Sequence, residues 1–239
     1  MRRLSRPAEI AGLVEELTAA EPAADRVRVL AALGRAIAAS ARQAGITAVG
    51  SGRWLAGLVA DLAPRVPVRD LPTLRAQHEG LAADALAAAL IETASRATAA
   101  VGAAGGALAG VEFAAPPTLL SAPVQLAAET VAVVAIELKL VAELHEVYAR
   151  PATGTPAQRG LSYLGAWARR RGLDQSAEDG IVGVLSSATR RELRQRVARR
   201  LGRNVTTLAP FLVGAVAGGA LNRRETRRLG ERIAADLRP

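Results

Sequence analysis

The stretch AVGAAGGALAGVEF, residues 100–113, places a glycine on every fourth position, at 102, 106 and 110. Glycine in a helix interior costs about 0.5–1 kcal/mol relative to alanine, so three glycines on one helical face require a compensating interaction. Together with Thr98 and Ala114 they form a stripe of small side chains. Such a stripe lets two helix backbones approach closely and gain dispersion contacts. The spacing therefore predicts a helix whose small-residue face packs against another helix.

A second segment with the same features is NVTTLAPFLVGAVAGGALNRR, residues 204–224. It has glycines one turn apart, and the uncharged positions 205–221 are bracketed by arginines. We expect the two small-residue faces to pack on each other; the alternative is that each packs elsewhere in an alanine-rich core. The predicted helix-packing glycines are Gly102, Gly106, Gly110, Gly214 and Gly218.

The chain of 239 residues reads as helix throughout. Half of its residues are hydrophobic and only 3% are aromatic. Apart from a short VPV at 66–68, no run of alternating β-branched residues predicts a strand. The sequence therefore predicts an all-α fold, one multi-helix globular domain over 1–239 with closely packed glycine-rich central and C-terminal helices. A subdivision into an N-terminal helical part, 1–80, and a core, 81–239, is the alternative.

Local patterns predict the character and the ends of the later helices. The longest predicted helix, 124–149, should be amphipathic, with a solvent-exposed polar stripe and a surface ion pair between Lys139 and Glu143. Thr155 before Pro156 predicts a helix N-cap. Asn222 with Glu225 has the spacing of a capping box, which predicts separate helices over 206–221 and 223–237. The polar stripe consists of Gln125, Glu129, Lys139, Glu143 and Glu146.

The net charge of +9 is concentrated near the C-terminus, where residues 190–239 carry 13 arginines against four acids. Within RRELRQRVARRLGR, 190–203, arginines surround a narrow apolar stripe. Such a helix suits an anionic membrane surface, where each basic residue contributes about 1 kcal/mol. The alternative is a solvated helix whose arginines pair with the acidic stripe of 124–149. The predicted membrane-surface residues are Arg190, Arg191, Arg194, Arg196, Arg199, Arg200 and Arg203.

Neither apolar segment has the length of a bilayer span, which needs about 20 residues. The N-terminal MRRLSRPAEIAGLVEEL contains three glutamates that interrupt any secretory signal peptide. The absence of cysteine fits a reducing compartment. We therefore expect a cytoplasmic protein, peripheral on the inner membrane and not secreted.

Two parts of the chain resemble the EcsC family. The first is residues 99–151, where a glycine-rich helix, a proline-bearing turn (APPTLLSAP) and a long helix ending near Tyr148 follow one another. The second is LAPFLVGAVAGGALNRRETRRLG, 208–230, which is similar to the family's closing motif. The family is associated with bacterial membranes and, by name, with an ABC-transporter operon. The resemblance implies an EcsC-like core over 81–239 and, as partner, an anionic membrane surface or a membrane protein; it supplies no catalytic residues.

Motifs that carry catalysis or hold cofactors are missing from the sequence. There is no dinucleotide-binding, P-loop or G-x-S-x-G motif, and LHEVY, 144–148, lacks the second histidine of a zinc site. We expect no enzymatic activity, no cofactor and no metal. Two alternatives remain. One is a nucleic-acid-binding protein using the helix 190–203, against which the lack of interleaved aromatic residues argues. The other is a helical enzyme with a cavity around Glu129 and His145, where Glu129 is either a buried carboxylate or the solvent edge of its helix.

Overall fold

A computed structural model describes residues 6–19, 23–44, 53–81, 83–113, 121–171 and 210–239. These residues form eight α-helices and one 3-10 turn, and no strand lies among them, so the predicted all-α class is confirmed. The helices pack against one another around a shared apolar core. They are α1 Arg6–Ala19, α2 Ala23–Ala44, α3 Arg53–Leu62, α4 Leu71–Gln77, α5 Ala83–Phe113, α6 Ser121–Val147, α7 Pro156–Arg170 and α8 Pro210–Leu237, with the 3-10 turn at Ala63–Arg65.

Helix α6 is the central element of the fold and contacts every other described α-helix. Alanine and valine dominate its middle, and side chains this small let neighbouring helices pack on all sides of it. Leu138, Val141 and Leu144 are at most 3% exposed. The expected solvent-facing stripe of this helix is therefore wrong: Glu129 and Glu143 are buried, at 8% and 3% exposure.

The connection between the 3-10 turn and α4 covers the polar stripe of α6. Arg69 donates from Nε and Nη2 to the two carboxylate oxygens of Glu143, both at 2.8 Å. Lys139 forms the predicted ion pair with Glu143 at 2.7 Å and also donates to the carbonyl of Pro67 at 2.8 Å. This pair lies in the interior rather than on the surface. Helical periodicity identifies the stripe, but it carries no information about a connection that folds over it.

Helices α5 and α8 form the most extensive interface among the described elements, and they run antiparallel. Arg238 bonds to Asp84 near one end, and Gly218 lies against Gly102 eighteen residues further along α5, so the described contact extends about 27 Å at 1.5 Å per residue. A Cβ placed on Gly102 would lie 2.7 Å from the carbonyl oxygen of Gly218. One placed on Gly218 would lie 3.1 Å from the carbonyl oxygen of Gly102. The two backbones touch directly at this point.

Helix α8 is continuous through Asn222, so the predicted division into 206–221 and 223–237 is wrong. The side chain of Asn222 is buried and donates from Nδ2 to the carbonyl of Thr98 on α5 at 3.2 Å. It serves the helix contact instead of capping a helix start. The other predicted cap is present: Thr155 Oγ1 accepts from the amide of Gln158, whose side chain accepts from the amide of Thr155.

The substitution Gly102→Ala tests the backbone contact. We expect it to lower the free energy of unfolding by about 1–3 kcal/mol, because the added methyl overlaps the α8 backbone. The matched control is Gly34→Ala on α2, where an added Cβ meets nothing within 4 Å. There alanine should raise stability by roughly 0.4–1 kcal/mol. Equilibrium urea denaturation measures both variants, and equal effects would contradict the close approach.

Candidate functional site

A shallow depression of about 460 Å³ lies on the surface beside the contact of α5 with α8. Its base consists of small residues: a Cβ placed on Gly219 would lie 3.0 Å from the carbonyl oxygen of Ala99. The close packing of the two helices therefore also forms this concave surface. The described lining residues are Ala99, Gly219, Ala220, Arg223, Arg224 and Arg227.

One carboxylate, Glu92 on α5, is shared by three arginines at the edge of this depression. Arg96 Nε donates to it at 2.6 Å and Arg223 Nη2 at 2.7 Å, and Arg227 Nη2 bonds its other oxygen. The hydrogen bond from Arg96, with the charges of Arg223 and Arg227, lowers the pKa of the Glu92 carboxyl below its usual value. Glu92 is thus ionised at neutral pH, and its single negative charge faces three positive ones.

Arg224 adds further positive charge to the same depression. It is exposed, and within the described parts of the chain it has neither an ion-pair nor a hydrogen-bond partner. A guanidinium has five N–H donors, and those of Arg223 and Arg227 are only partly used by Glu92. The depression therefore offers unused donors and a surplus of positive charge, which favours an anionic ligand.

Exposed apolar side chains adjoin the arginines on α8. Val216 is 70% exposed and Leu221 is 41% exposed. Val216, Ala220, Arg223 and Arg227 recur at helical spacing and form one stripe that changes from apolar to cationic along the helix. This surface combines an apolar part with a cationic part, as surfaces that lie at a membrane interface do.

A buried carboxylate, Glu137 on α6, joins four helices beside the α5–α8 contact. It is fully buried and accepts from Trp167 Nε1 at 2.8 Å and from Thr226 Oγ1 at 2.7 Å. Arg171 bonds both of its oxygens. Thr98 Oγ1 on α5 lies 2.9 Å from Thr226 Oγ1 and donates to it. A carboxylate with this many donors and no exposed surface connects helices and gives a substrate no access.

The structure brings together some of the residues singled out in the sequence. Gly102 and Gly218 are in contact. Gly106 and Gly110 lie within α5 and Gly214 within α8, but their surroundings fall outside the described residues. The arginine-rich segment also lies outside them: Arg190, Arg191, Arg194, Arg196, Arg199, Arg200 and Arg203.

Glu129 and His145 do not form a joint cavity. They are sixteen residues apart on α6, which separates them by about 24 Å along the helix axis. His145 Nδ1 donates to the carbonyl of Val141 at 2.7 Å, and its ring packs edge-on against Tyr163. Across the described ranges, no group of three or more acidic or histidine side chains is placed to hold a metal ion.

The arginines of the depression and Glu137 were not among the residues that sequence patterns predicted to be functional. The stripe of Gly214 and Gly218 continues at the same four-residue spacing through Asn222, Thr226 and Gly230, which could have marked the whole of α8 as one contact surface. Glu137 lies off the polar stripe of α6, and its neighbours at i±3 and i±4 are valine and leucine. A carboxylate with apolar residues on its own face of the helix needs a cation from another element. The position of Glu137 among these apolar residues was therefore the signal from which a buried ion pair could have been predicted.

No family model, curated protein or solved structure matches this chain. The resemblance to the EcsC family therefore stays a prediction that rests on the residues quoted above. Among the helices that the structure describes, none is both long and apolar enough to cross a membrane.

The substitution Glu137→Ala tests the buried carboxylate. We expect a loss of about 3–5 kcal/mol in the free energy of unfolding, because Arg171, Trp167 and Thr226 lose their common acceptor. The control is Glu146→Ala on the same helix, at a partly exposed position, where the change should stay within about 0.5 kcal/mol. Urea denaturation measures both, and equal losses would contradict the assigned role of Glu137.

Proposed function

We propose that this chain is a non-enzymatic helical protein that binds peripherally to an anionic membrane surface, on the cytoplasmic side of a bacterial membrane. The observation that carries the proposal is the surface of α8, where exposed Val216 and Leu221 are followed within about three turns by Arg223, Arg224 and Arg227. The apolar side chains would enter the boundary between headgroups and acyl chains. The guanidinium groups would contact the phosphates.

Electrostatics supports this proposal because the arginines at the depression outnumber the one described acid with which they pair. Arg96, Arg223, Arg224 and Arg227 surround or adjoin one carboxylate, that of Glu92. A basic residue near an anionic surface contributes about 1 kcal/mol of attraction, so a small cluster gives useful but salt-sensitive binding. Two apolar side chains alone would bind weakly, and the combination gives selectivity for anionic over neutral lipid.

Two features of the sequence add support. The segment 190–203 carries seven arginines against one acid and precedes α8 directly in the chain. The resemblance of 99–151 and 208–230 to the EcsC family also implies membrane association. The first of these features supports a contact with the membrane in the C-terminal part of the chain.

Nucleic-acid binding is the alternative that the same positive charge suggests. Binding to single strands typically uses aromatic side chains on which bases stack. The part of α8 that carries the arginines, 216–237, contains no aromatic residue. The membrane interpretation also accounts for the exposed apolar residues, which a phosphate backbone would not require.

Co-sedimentation of the full chain with lipid vesicles tests the proposal. We expect tight binding to phosphatidylcholine vesicles that contain phosphatidylglycerol, weak binding to phosphatidylcholine alone, and loss of binding as salt screens the charges over roughly 10 Å. Changing Arg194, Arg196, Arg199 and Arg200 to Gln should weaken binding at least about tenfold, since each arginine contributes about 1 kcal/mol.

A matched control removes the same charge elsewhere, by changing the exposed Arg35, Arg42, Arg159 and Arg169 to Gln. This variant should keep most of the binding because its substitutions lie on α2 and α7. Equal binding to neutral and anionic vesicles, or equal losses in the two variants, would overturn the proposal. Preferential binding of RNA or DNA in competition with vesicles would favour the alternative.

A further inference from the structure

We infer that the depression between α5 and α8 is a binding site for the phosphate monoester headgroup of an anionic phospholipid. The inference deepens the proposed function and rests on it: that function requires only attraction to a charged surface, whereas this site would select one class of headgroup. Arg224 and Arg227 are the principal ligands, with Arg223 at the side.

Charge defines what the site can hold. Four guanidinium groups and one carboxylate lie at or beside the depression, which leaves a surplus of three positive charges. A phosphate monoester carries about two negative charges at neutral pH and three terminal oxygens, each a strong acceptor. A phosphodiester, as in phosphatidylglycerol, has one charge and two such oxygens. Three arginines on one rim therefore match the monoester better.

Shape defines where the rest of the ligand lies. Ala99, Gly219 and Ala220 give the depression an apolar base without long side chains. Val216, one turn before Ala220, extends this apolar surface away from the arginines and is 70% exposed. A lipid with its phosphate at Arg224 would have its glycerol on the small residues and its acyl chains towards Val216. A free phosphate would use only the cationic end of this surface.

Glu92 is the built-in competitor of the ligand. Its carboxylate occupies donors of Arg223 and Arg227 that a phosphate would otherwise take. Its removal should therefore strengthen phosphate binding, whereas removal of an arginine should weaken it. Net charge alone would produce changes in the same two directions, so the site is tested by the preference between two headgroups at equal surface potential and not by total binding.

The experiment compares the full chain on vesicles with phosphatidic acid and on vesicles with phosphatidylglycerol, adjusted to the same surface potential. At equal potential the general attraction is the same, so a difference reports the headgroup. We expect the wild type to bind phosphatidic acid vesicles about fivefold more tightly or better, which is the change in affinity that one further arginine contact gives. Arg224→Gln with Arg227→Gln should abolish this preference, and Glu92→Gln should increase it.

The control variant is Arg159→Gln with Arg169→Gln, which removes the same charge from exposed positions on α7 and should keep the preference. Thermal unfolding of each variant checks that it is folded, and none of the substituted side chains is buried. Equal wild-type binding to the two lipids, or a preference that survives in the Arg224 and Arg227 variant, would overturn the inference and leave the proposed function standing.

Two further arms separate other sources of the same chemistry. Glycerol 3-phosphate, added at constant ionic strength, should displace the chain only weakly from vesicles with phosphatidic acid. If it competes as effectively as additional vesicles do, the site binds a soluble phosphate and the inference is overturned. Binding to neither anionic vesicle would overturn the inference and the proposed function together.

Discussion

The direct contact between the backbones of Gly102 and Gly218 sets the distance between α5 and α8, and much of the structure depends on that distance. With the helices this close, Thr98 reaches Asn222 and Thr226, and Gly230 accommodates Ile91. The glycines cost helix propensity at each position, and the dispersion contacts of an interface about 27 Å long offset that cost. The adjacent small residues Ala99, Gly219 and Ala220 form the concave base of the arginine-lined depression beside this contact.

The carboxylates of Glu137 and Glu143 are buried because their helix, α6, lies at the centre of the fold. Glu137 forms an ion pair with Arg171, which follows α7, and Glu143 forms one with Arg69, which precedes α4. In both cases a residue outside α6 supplies a cation, and Lys139 of α6 itself adds a second cation beside Glu143. Since an uncompensated charge in the interior is costly, Glu137 requires Arg171 and Glu143 requires Arg69 to lie against α6. These two ion pairs thus hold the C-terminal end of α7 and the segment before α4 against the central helix, and they are unavailable to a ligand.

The distribution of charge is consistent with the surface interaction that we propose. Glu137 and Glu143 of α6 are already partnered by arginine or lysine in the interior. At the outer edge of the α5–α8 pair, the arginines of α8 share Glu92 with Arg96. The positive charge of Arg223, Arg224 and Arg227 is therefore displayed beside the exposed apolar residues of α8. An amphipathic anion, with charge at one end and hydrocarbon at the other, complements this arrangement.

The sequence by itself determined the features that depend on local spacing: the all-α class, the glycine stripes, the N-cap at Thr155 and the concentration of arginine near the C-terminus. It also paired the two glycine-bearing segments as a hypothesis. Only the tertiary structure decided that the polar stripe of α6 is buried, that α8 continues through Asn222, that Glu137 gathers three donors, and that Glu92 is shared by arginines of α8. The reason is distance along the chain: Arg69 and Glu143 are separated by 74 positions, Thr98 and Asn222 by 124, and Glu92 and Arg223 by 131. Helical periodicity fixes which residues share a face, but the partner that covers that face is set by packing between segments far apart in sequence.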